Sequence, residues 1–399
     1  MPMRRALESA LVENPDDLAT HRAHADYLSD QGDPRGEFIS LQLQREECAS
    51  QSDSLALQAR EEQLWQQHGR DWLGSLAPFL LDQGEYISYE WTFRRGWLDT
   101  LDVMYLEPPF AEALAQAPEA RLLSGLRIYN ASAPTPLAER PFWDMDPEEP
   151  EAEDPDHPAN DCIEPLVPSE HLRNLRKLHI GGTEFLAEHP EDLEDKDPRT
   201  FLSVSGVGVA GWVAHLPRLQ ELRLLVVGLD TERLFGLRNL EQLRILQVYD
   251  ASRYPLAEFA ANPAVARLTH LLLQPRKLFP GEDAHIQLND VRALVRSPHL
   301  PSLTHLTIRL SDMGDAGVEV LLASGILRQL EVLDLRYGQI SDAGASRLAA
   351  CPDVARLKQL NLSNNRLSER GETFLRSAGV NLLADEQGYG SDLFETDLE

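Results

Sequence analysis

Apolar residues return at a fixed interval along the C-terminal part of the chain. Leu357, Leu360, Leu362, Asn365 and Leu367 set a pattern Leu-x-x-Leu-x-Leu-x-x-Asn-x-Leu. The same positions 27 residues earlier hold Leu330, Leu333, Leu335, Gly338 and Ile340, and another 27 earlier Leu303, Leu306, Ile308, Ser311 and Met313. Alternation in each segment predicts a short strand with its leucines on one side. Behind the strands, Val318, Leu321, Leu322 and Leu348 follow at helical spacing, and Ser341 and Ser368 stand where helix caps are needed. Such a unit cannot cover its own apolar face, so neighbours must close a continuous core. Less regular strand starts precede these at Leu98, Leu123, Leu175, Leu219, Leu243 and Leu268.

This spacing resembles the leucine-rich repeat, of the ribonuclease-inhibitor-like type in which each unit alternates a strand with a full helix. The resemblance implies an α/β solenoid with parallel strands on its concave face and helices on its convex face. We expect it over residues 83–383, with acidic insertions at about 144–170 and 184–199. At the asparagine position, Asn365 is expected to bond backbone in the turn between repeats. Gly338, Ser311, Arg276 and Ala251 stand there in other units, so an asparagine ladder is largely missing.

Residues 1–82 read instead as a helical N-terminal cap, with helices at about 4–12, 16–30, 34–48 and 54–68. In Asn14-Pro15-Asp16-Asp17 the spacing predicts Asn14 as a cap and Pro15 as the first helical residue. Asp33-Pro34 repeats the device. The clusters Asn14–Asp17, Ala25-Asp26-Tyr27-Leu28, Gly32-Asp33-Pro34 and Glu37-Phe38-Ile39 with Gln42 resemble the repeat-companion domain of bacterial proteins, which precedes repeats and implies no catalytic residue. Tyr86, Ile87, Tyr89, Trp91 and Phe93 then predict a strand, turned by Arg94-Arg95-Gly96 into Trp97–Val103. Trp91 and Trp97 read as packing residues.

Composition narrows the function. A formal charge of −28 over 399 residues argues against nucleic acid and anionic membranes as partners. Between Asp144 and Glu170 stand eleven Asp or Glu and no Lys or Arg, which predicts a self-repelling loop without the ligand order of a calcium site. The acidic residues 384–399 read as a tail, in which Leu393 and Phe394 could cover the end of the stack. Cys48, Cys162 and Cys351 are too scattered for a disulfide framework or zinc knuckle. With neither an apolar leader nor a membrane-length run in the sequence, a cytoplasmic monomer is the expectation.

Gly206-Val207-Gly208-Val209-Ala210-Gly211 matches the dinucleotide fingerprint Gly-x-Gly-x-x-Gly. An offset of 111 residues, however, aligns Gly206 with Gly317, which recurs as Gly344 and Gly371, each expected to open a repeat helix. Gly206 is therefore read as a repeat glycine. Zinc-protease, phosphate-loop and serine-elbow motifs are absent from the sequence. The expectation is a non-enzyme with no cofactor and no metal.

Strand residues alternating with the leucines project onto the concave face. That face is read as Asp102, Met104, Tyr105, Arg127, Tyr129, Asn130, His179, Arg223, Gln247, Tyr249, Asp250, Gln274, Thr307, Arg309, Asp334, Arg336, Tyr337, Asn361, Ser363 and Asn364. Its arginines and tyrosines are residue types that dominate interface hot spots. The expected function is a protein–protein interaction scaffold whose partner contacts Tyr105, Arg127, Tyr129, Arg223, Tyr249, Arg309, Arg336 and Tyr337. The alternative is a regulator of a small GTPase, as in the Ran GTPase-activating protein, whose repeats are similar.

Overall fold

The computed structural model describes residues 2–48, 51–83, 89–130, 163–181, 204–250, 253–275, 286–385 and 387. Outside the described residues lie 144–162 of the first acidic insertion, the whole of the second, Leu393 and Phe394, Tyr86 and Ile87, Cys162, Ala251 and Arg276. The chain divides into two compact units: Met1–Pro150 with Cys162–Leu178, and Glu151–Asp161 with His179–Glu399. Among the described residues no helix is long and apolar enough to cross a membrane.

The first unit begins with helices α1 (Pro2–Glu13), α2 (Leu18–Asp30), α3 (Pro34–Glu47), α4 (Gln51–Leu73) and α5 (Ala77–Leu81). Asp33 caps α3 and Pro34 opens it, as the spacing predicts. The expectation for α2 is corrected. Asn14 still belongs to the end of α1, its amide donating to the Ala10 carbonyl. Asp17 caps instead, accepting from the Ala19 amide at 3.1 Å. Pro15 stays in the turn, where its carbonyl lies 2.9 Å from His21 Nε2.

Strands β1 (Tyr89–Arg94) and β2 (Trp97–Tyr105) follow as an antiparallel hairpin. Its two-residue turn puts Arg95 at φ 51° and Gly96 at φ 78°, the paired left-handed geometry that suits strand twist. One face of α3 grips this turn. Arg35 Nε and Nη2 donate to the Gly96 carbonyl at 3.0 and 2.6 Å, and the Gly96 amide donates to Gln42 Oε1 at 2.6 Å. The Arg95 guanidinium meets the Glu46 carboxylate at 2.7 Å. A side chain at position 96 would collide with Ile39. Trp97 is buried beneath, with Arg35 4.6 Å and Arg121 5.3 Å from its ring centroid. Trp91 packs on Trp65 at 4.9 Å. Both tryptophans are thus packing residues.

Helix α6 (Pro108–Gln116) and strand β3 (Gly125–Asn130) complete the first strand–helix–strand crossover. In it Leu101 lies opposite Leu126 and Val103 opposite Ile128 in parallel register. Strand β4 (Lys177–Ile180) runs over the division between the units.

The second unit alternates helix and strand: α7 (Val209–Val213), β5 (Glu221–Leu225), α8 (Thr231–Gly236), β6 (Ile245–Asp250), α9 (Leu256–Ala260), β7 (His270–Pro275), α10 (Leu288–Val295), β8 (His305–Ile308), α11 (Gly314–Ser324), β9 (Val332–Asp334), α12 (Asp342–Ala349), β10 (Gln359–Asn361), α13 (Glu369–Ser377) and β11 (Leu382–Leu383). Strands β5 to β11 pair in chain order, all parallel. Register sets Leu222, Leu246, Leu271, Leu306, Leu333, Leu360 and Leu382 in one continuous buried row. Burying one such side chain is worth about 2 kcal/mol, which a single unit could not realise alone.

Two polar devices tie neighbouring repeats. Asn365 accepts from the Gly338 and Ile340 amides and donates to the Leu335, Leu362 and Ser363 carbonyls. Ser311, at the same position two units earlier, is buried with its hydroxyl unpartnered among the described residues. On the helical side Asp315 accepts from Ser341 and Gly344, and Asp342 accepts from Ser368. Each helix N-terminus thus gains a carboxylate from the unit before it. Gly344 and Gly371 pack against these aspartates without room for a side chain.

Gly206 behaves otherwise, and the expectation that it opens a helix is corrected. Its amide donates to the Val227 carbonyl, and α7 starts only after Gly208, at φ 79°. An added Cβ on Gly206 would lie 2.9 Å from the Leu229 backbone, so it marks a close strand-side approach.

Asn365→Ala removes hydrogen bonds to five backbone groups, of which the Leu362 carbonyl keeps a second donor in Gln387, and the expected loss is about 2–4 kcal/mol in urea unfolding. A change below about 1 kcal/mol would contradict the hub role. A second prediction concerns acid. Burial pushes the His24 imidazole down to about 4 and lowers His21 too. The folded protein therefore prefers both rings neutral, while the unfolded chain takes up protons near pH 6.5. Stability is full above that value and falls as pH drops from about 6.5 towards 4. Unfolding free energies measured across this window should decline less steeply in His24→Phe.

Candidate interaction face

Register builds the strand face of the second unit row by row. The first row across β5 to β10 is Glu221, Ile245, His270, His305, Val332 and Gln359. The second is Arg223, Gln247, Leu272, Thr307, Asp334 and Asn361, and the third opens with Leu225, Tyr249 and Gln274. Ile245, His270, Leu272, Leu225 and Val332 are half-buried, so apolar and aromatic surface interrupts the polar positions.

A chain of hydrogen bonds links neighbouring strands on this face. His179 Nε2 lies 3.0 Å from Glu221 Oε1, to which Arg223 Nε donates at 2.7 Å. Arg223 Nη1 donates to Gln247 at 3.0 Å, and Gln247 donates to Gln274 at 3.0 Å. Burial alone would raise the Glu221 carboxyl, but the Arg223 hydrogen bond and the nearby His179 bring it below its ordinary value.

Further along, Arg336 Nη2 meets the Asp334 carboxylate at 3.0 Å, and that carboxylate also accepts from the Arg336 amide. Arg309 is only 4% exposed, with its guanidinium 5.2 Å from the Tyr337 ring centroid. It therefore supports Tyr337 from below and is not itself displayed for a partner. Leu310, Tyr337 and Asn364, spaced 27 apart, all turn the chain at φ 53–56°. Among these residues asparagine tolerates that conformation best.

In the first unit Arg127 Nη1 donates to the Tyr129 hydroxyl at 2.8 Å and lies 3.8 Å from Asp102. Tyr105 is half-buried opposite Asn130, and both share the parity of the inward Val103 and Ile128. They belong to the strand end, off the alternation that carries Asp102, Met104, Arg127 and Tyr129. Asp250 is corrected more sharply. It shares the parity of Leu246 and Val248, is fully buried, and accepts from the Leu229 amide at 3.4 Å. The sequence reading also omitted Leu225, Ile245, His270, Leu272, His305 and Val332, although the same alternation exposes them.

Little in the described residues suggests chemistry. No group of three or more His, Cys, Asp or Glu gathers at metal distance. An open groove of about 490 Å³ in the first unit is lined by Glu112, Gln116, Pro165, Pro168, Glu170 and His171. Cys48 ends α3, and Cys351 is half-buried just past α12.

Residues 299–322 and 328–349 match one leucine-rich repeat family model, and residues 356–377 match another. These segments are leucine-rich repeats. The matched segments carry β8, β9 and β10, whose register and leucine row are described above. Among solved structures, a Bacteroides fragilis protein is 18% identical over 70% of this chain and 71% of its own, with a TM-score of 0.44. A leucine-rich-repeat protein of Leptospira interrogans is 16% identical over 73% of this chain and 72% of its own, with a TM-score of 0.29. No curated protein matches the sequence.

Because Arg223 holds Glu221 ionised against burial, Arg223→Ala should raise the Glu221 carboxyl pKa, read by carboxyl-carbon NMR titration. An unchanged value would separate the two groups electrostatically.

Proposed function

We propose that this protein is a non-catalytic interaction scaffold whose leucine-rich repeats take a protein partner on their strand face. The observation that carries the reading is the make-up of the face: half-buried Leu225, Ile245, Leu272, Val332, Tyr249 and Tyr337 alternate with polar side chains already fixed by neighbours. Interface centres combine aromatic and apolar contact with few, oriented polar groups. Ordering such side chains before binding removes a cost that association otherwise bears.

The arginines act within this arrangement as oriented donors. Arg127, Arg223 and Arg336 each meet a carboxylate on their own face, so the face offers geometry more than net positive charge. Tyr249 and Tyr337 are the proposed anchors, Arg223 and Arg336 the proposed polar contacts, and Arg309 the support of Tyr337. Tyr129 with Arg127 offers a similar pair in the first unit, with Tyr105 at the strand end.

Leu272→Glu and Tyr337→Ala test the reading together. Affinity purification with the wild type identifies partners, and cross-linking with mass spectrometry locates their contacts. Loss of those partners in both variants, with cross-links to strands β6 to β9, is the expected result. Full retention with cross-links confined to the helical side would exclude this face.

A further inference from the structure

The first row of the face brings two histidines together. His270 on β7 and His305 on β8 are register partners, their ring centroids 3.9 Å apart and their planes 17° from parallel. Each ring is held by the threonine preceding it. Thr269 Oγ1 donates to the Arg244 carbonyl at 3.0 Å and lies 2.9 Å from His270 Nδ1. Thr304 Oγ1 donates to the Thr269 carbonyl at 3.1 Å and lies 2.9 Å from His305 Nδ1.

A hydroxyl has one hydrogen. When that hydrogen goes to the backbone carbonyl, the threonine oxygen accepts from the imidazole beside it. In that arrangement both neutral rings carry the proton on Nδ1, and both Nε2 atoms present a bare lone pair. Among the described residues neither Nε2 has a hydrogen-bond partner. An outer hydrogen bond that fixes the tautomer and frees the other nitrogen is the arrangement metal-ligating histidines use.

We infer that His270 and His305 form a two-nitrogen site for a divalent transition-metal cation of the copper and zinc class. No third His, Cys, Asp or Glu of the described residues completes a cluster around them. Water or a side chain of a bound protein fills the remaining positions. Because the planes are nearly parallel, the rings must splay for both lone pairs to reach one ion, which keeps affinity modest. Imidazole nitrogen selects against magnesium, and the order among divalent ions places copper above zinc. The inference stands apart from the proposed partner binding, since the ion alone is the probe.

Isothermal titration of the full chain with CuCl2, ZnCl2 and MgCl2 tests it. Expected are binding of Cu2+, weaker binding of Zn2+ and none of Mg2+. His270→Ala and His305→Ala should each weaken Cu2+ binding at least tenfold, whereas His179→Ala should not. The double variant Thr269→Val, Thr304→Val keeps both rings but frees their tautomers, and should weaken binding about tenfold. Copper-induced broadening of wild-type imidazole resonances gives a second readout independent of how the variants fold, and should fall first on His270 and His305. Absence of Cu2+ binding at millimolar ion, full binding by a folded variant lacking both histidines, or broadening confined to other histidines overturns the proposal.

Discussion

Parallel pairing in a single register is the constraint on which the second unit rests. A slip of one residue would turn every row leucine outward and every face residue inward. The backbone bonds between β5 and β11 therefore fix more than the core. They hold face residues of neighbouring strands roughly 4.8 Å apart, a pitch at which side chains of adjacent repeats must touch. The Arg223–Gln247–Gln274 chain and the stacked imidazoles both arise from that pitch. A globular core could place such groups by many routes, whereas a stack of repeats leaves one.

Within the first unit a hairpin packs against a helix. The hairpin alone would leave the turn carbonyl and amide of Gly96 without protein partners. Helix α3 supplies both, from Arg35 and Gln42, and adds the Glu46 ion pair to Arg95. Burial draws the Arg35 guanidinium down to about 10, still charged at neutral pH. The cost of burying it is offset by the two bonds to Gly96 and by the Trp97 face. The sequence clusters around Asp33, Phe38 and Gln42 that suggested a companion to the repeats include residues of this docking surface.

How far the sequence revealed this depends on which interaction fixes each residue. Leucine periodicity is local and repeated, so the strands from β8 onward, their helices and the Ser341 and Ser368 caps were legible. Asn365 was legible because its partners follow from its place in the unit. Asp17 was not, since Asn14 and Asp17 are both good caps and only the end of α1 decides between them. Asp250 was misplaced by ignoring strict alternation at a strand end. The half-buried Ile245 and Leu272 are not legible by residue type, because apolar side chains of the face differ from those of the core only in parity. The histidine pair escaped for a different reason: its members are 35 residues apart, across an irregular interval that breaks the regular repeat.

The same pattern of regularity and departure bears on how the face works. Leu310, Tyr337 and Asn364 occupy one left-handed position in successive units. Asparagine accepts it readily, while a leucine or tyrosine there costs on the order of 1–3 kcal/mol. Backbone bonds from the Leu310 and Ser311 amides to the Arg336 and Tyr337 carbonyls hold the turn against that cost. What the turn secures is the placement of the Tyr337 ring over buried Arg309, beside the Arg336–Asp334 pair. A stack selected for stability alone would gain by asparagine or glycine at position 337. A large aromatic ring at an unfavourable backbone position fits the contact role proposed above for Tyr337.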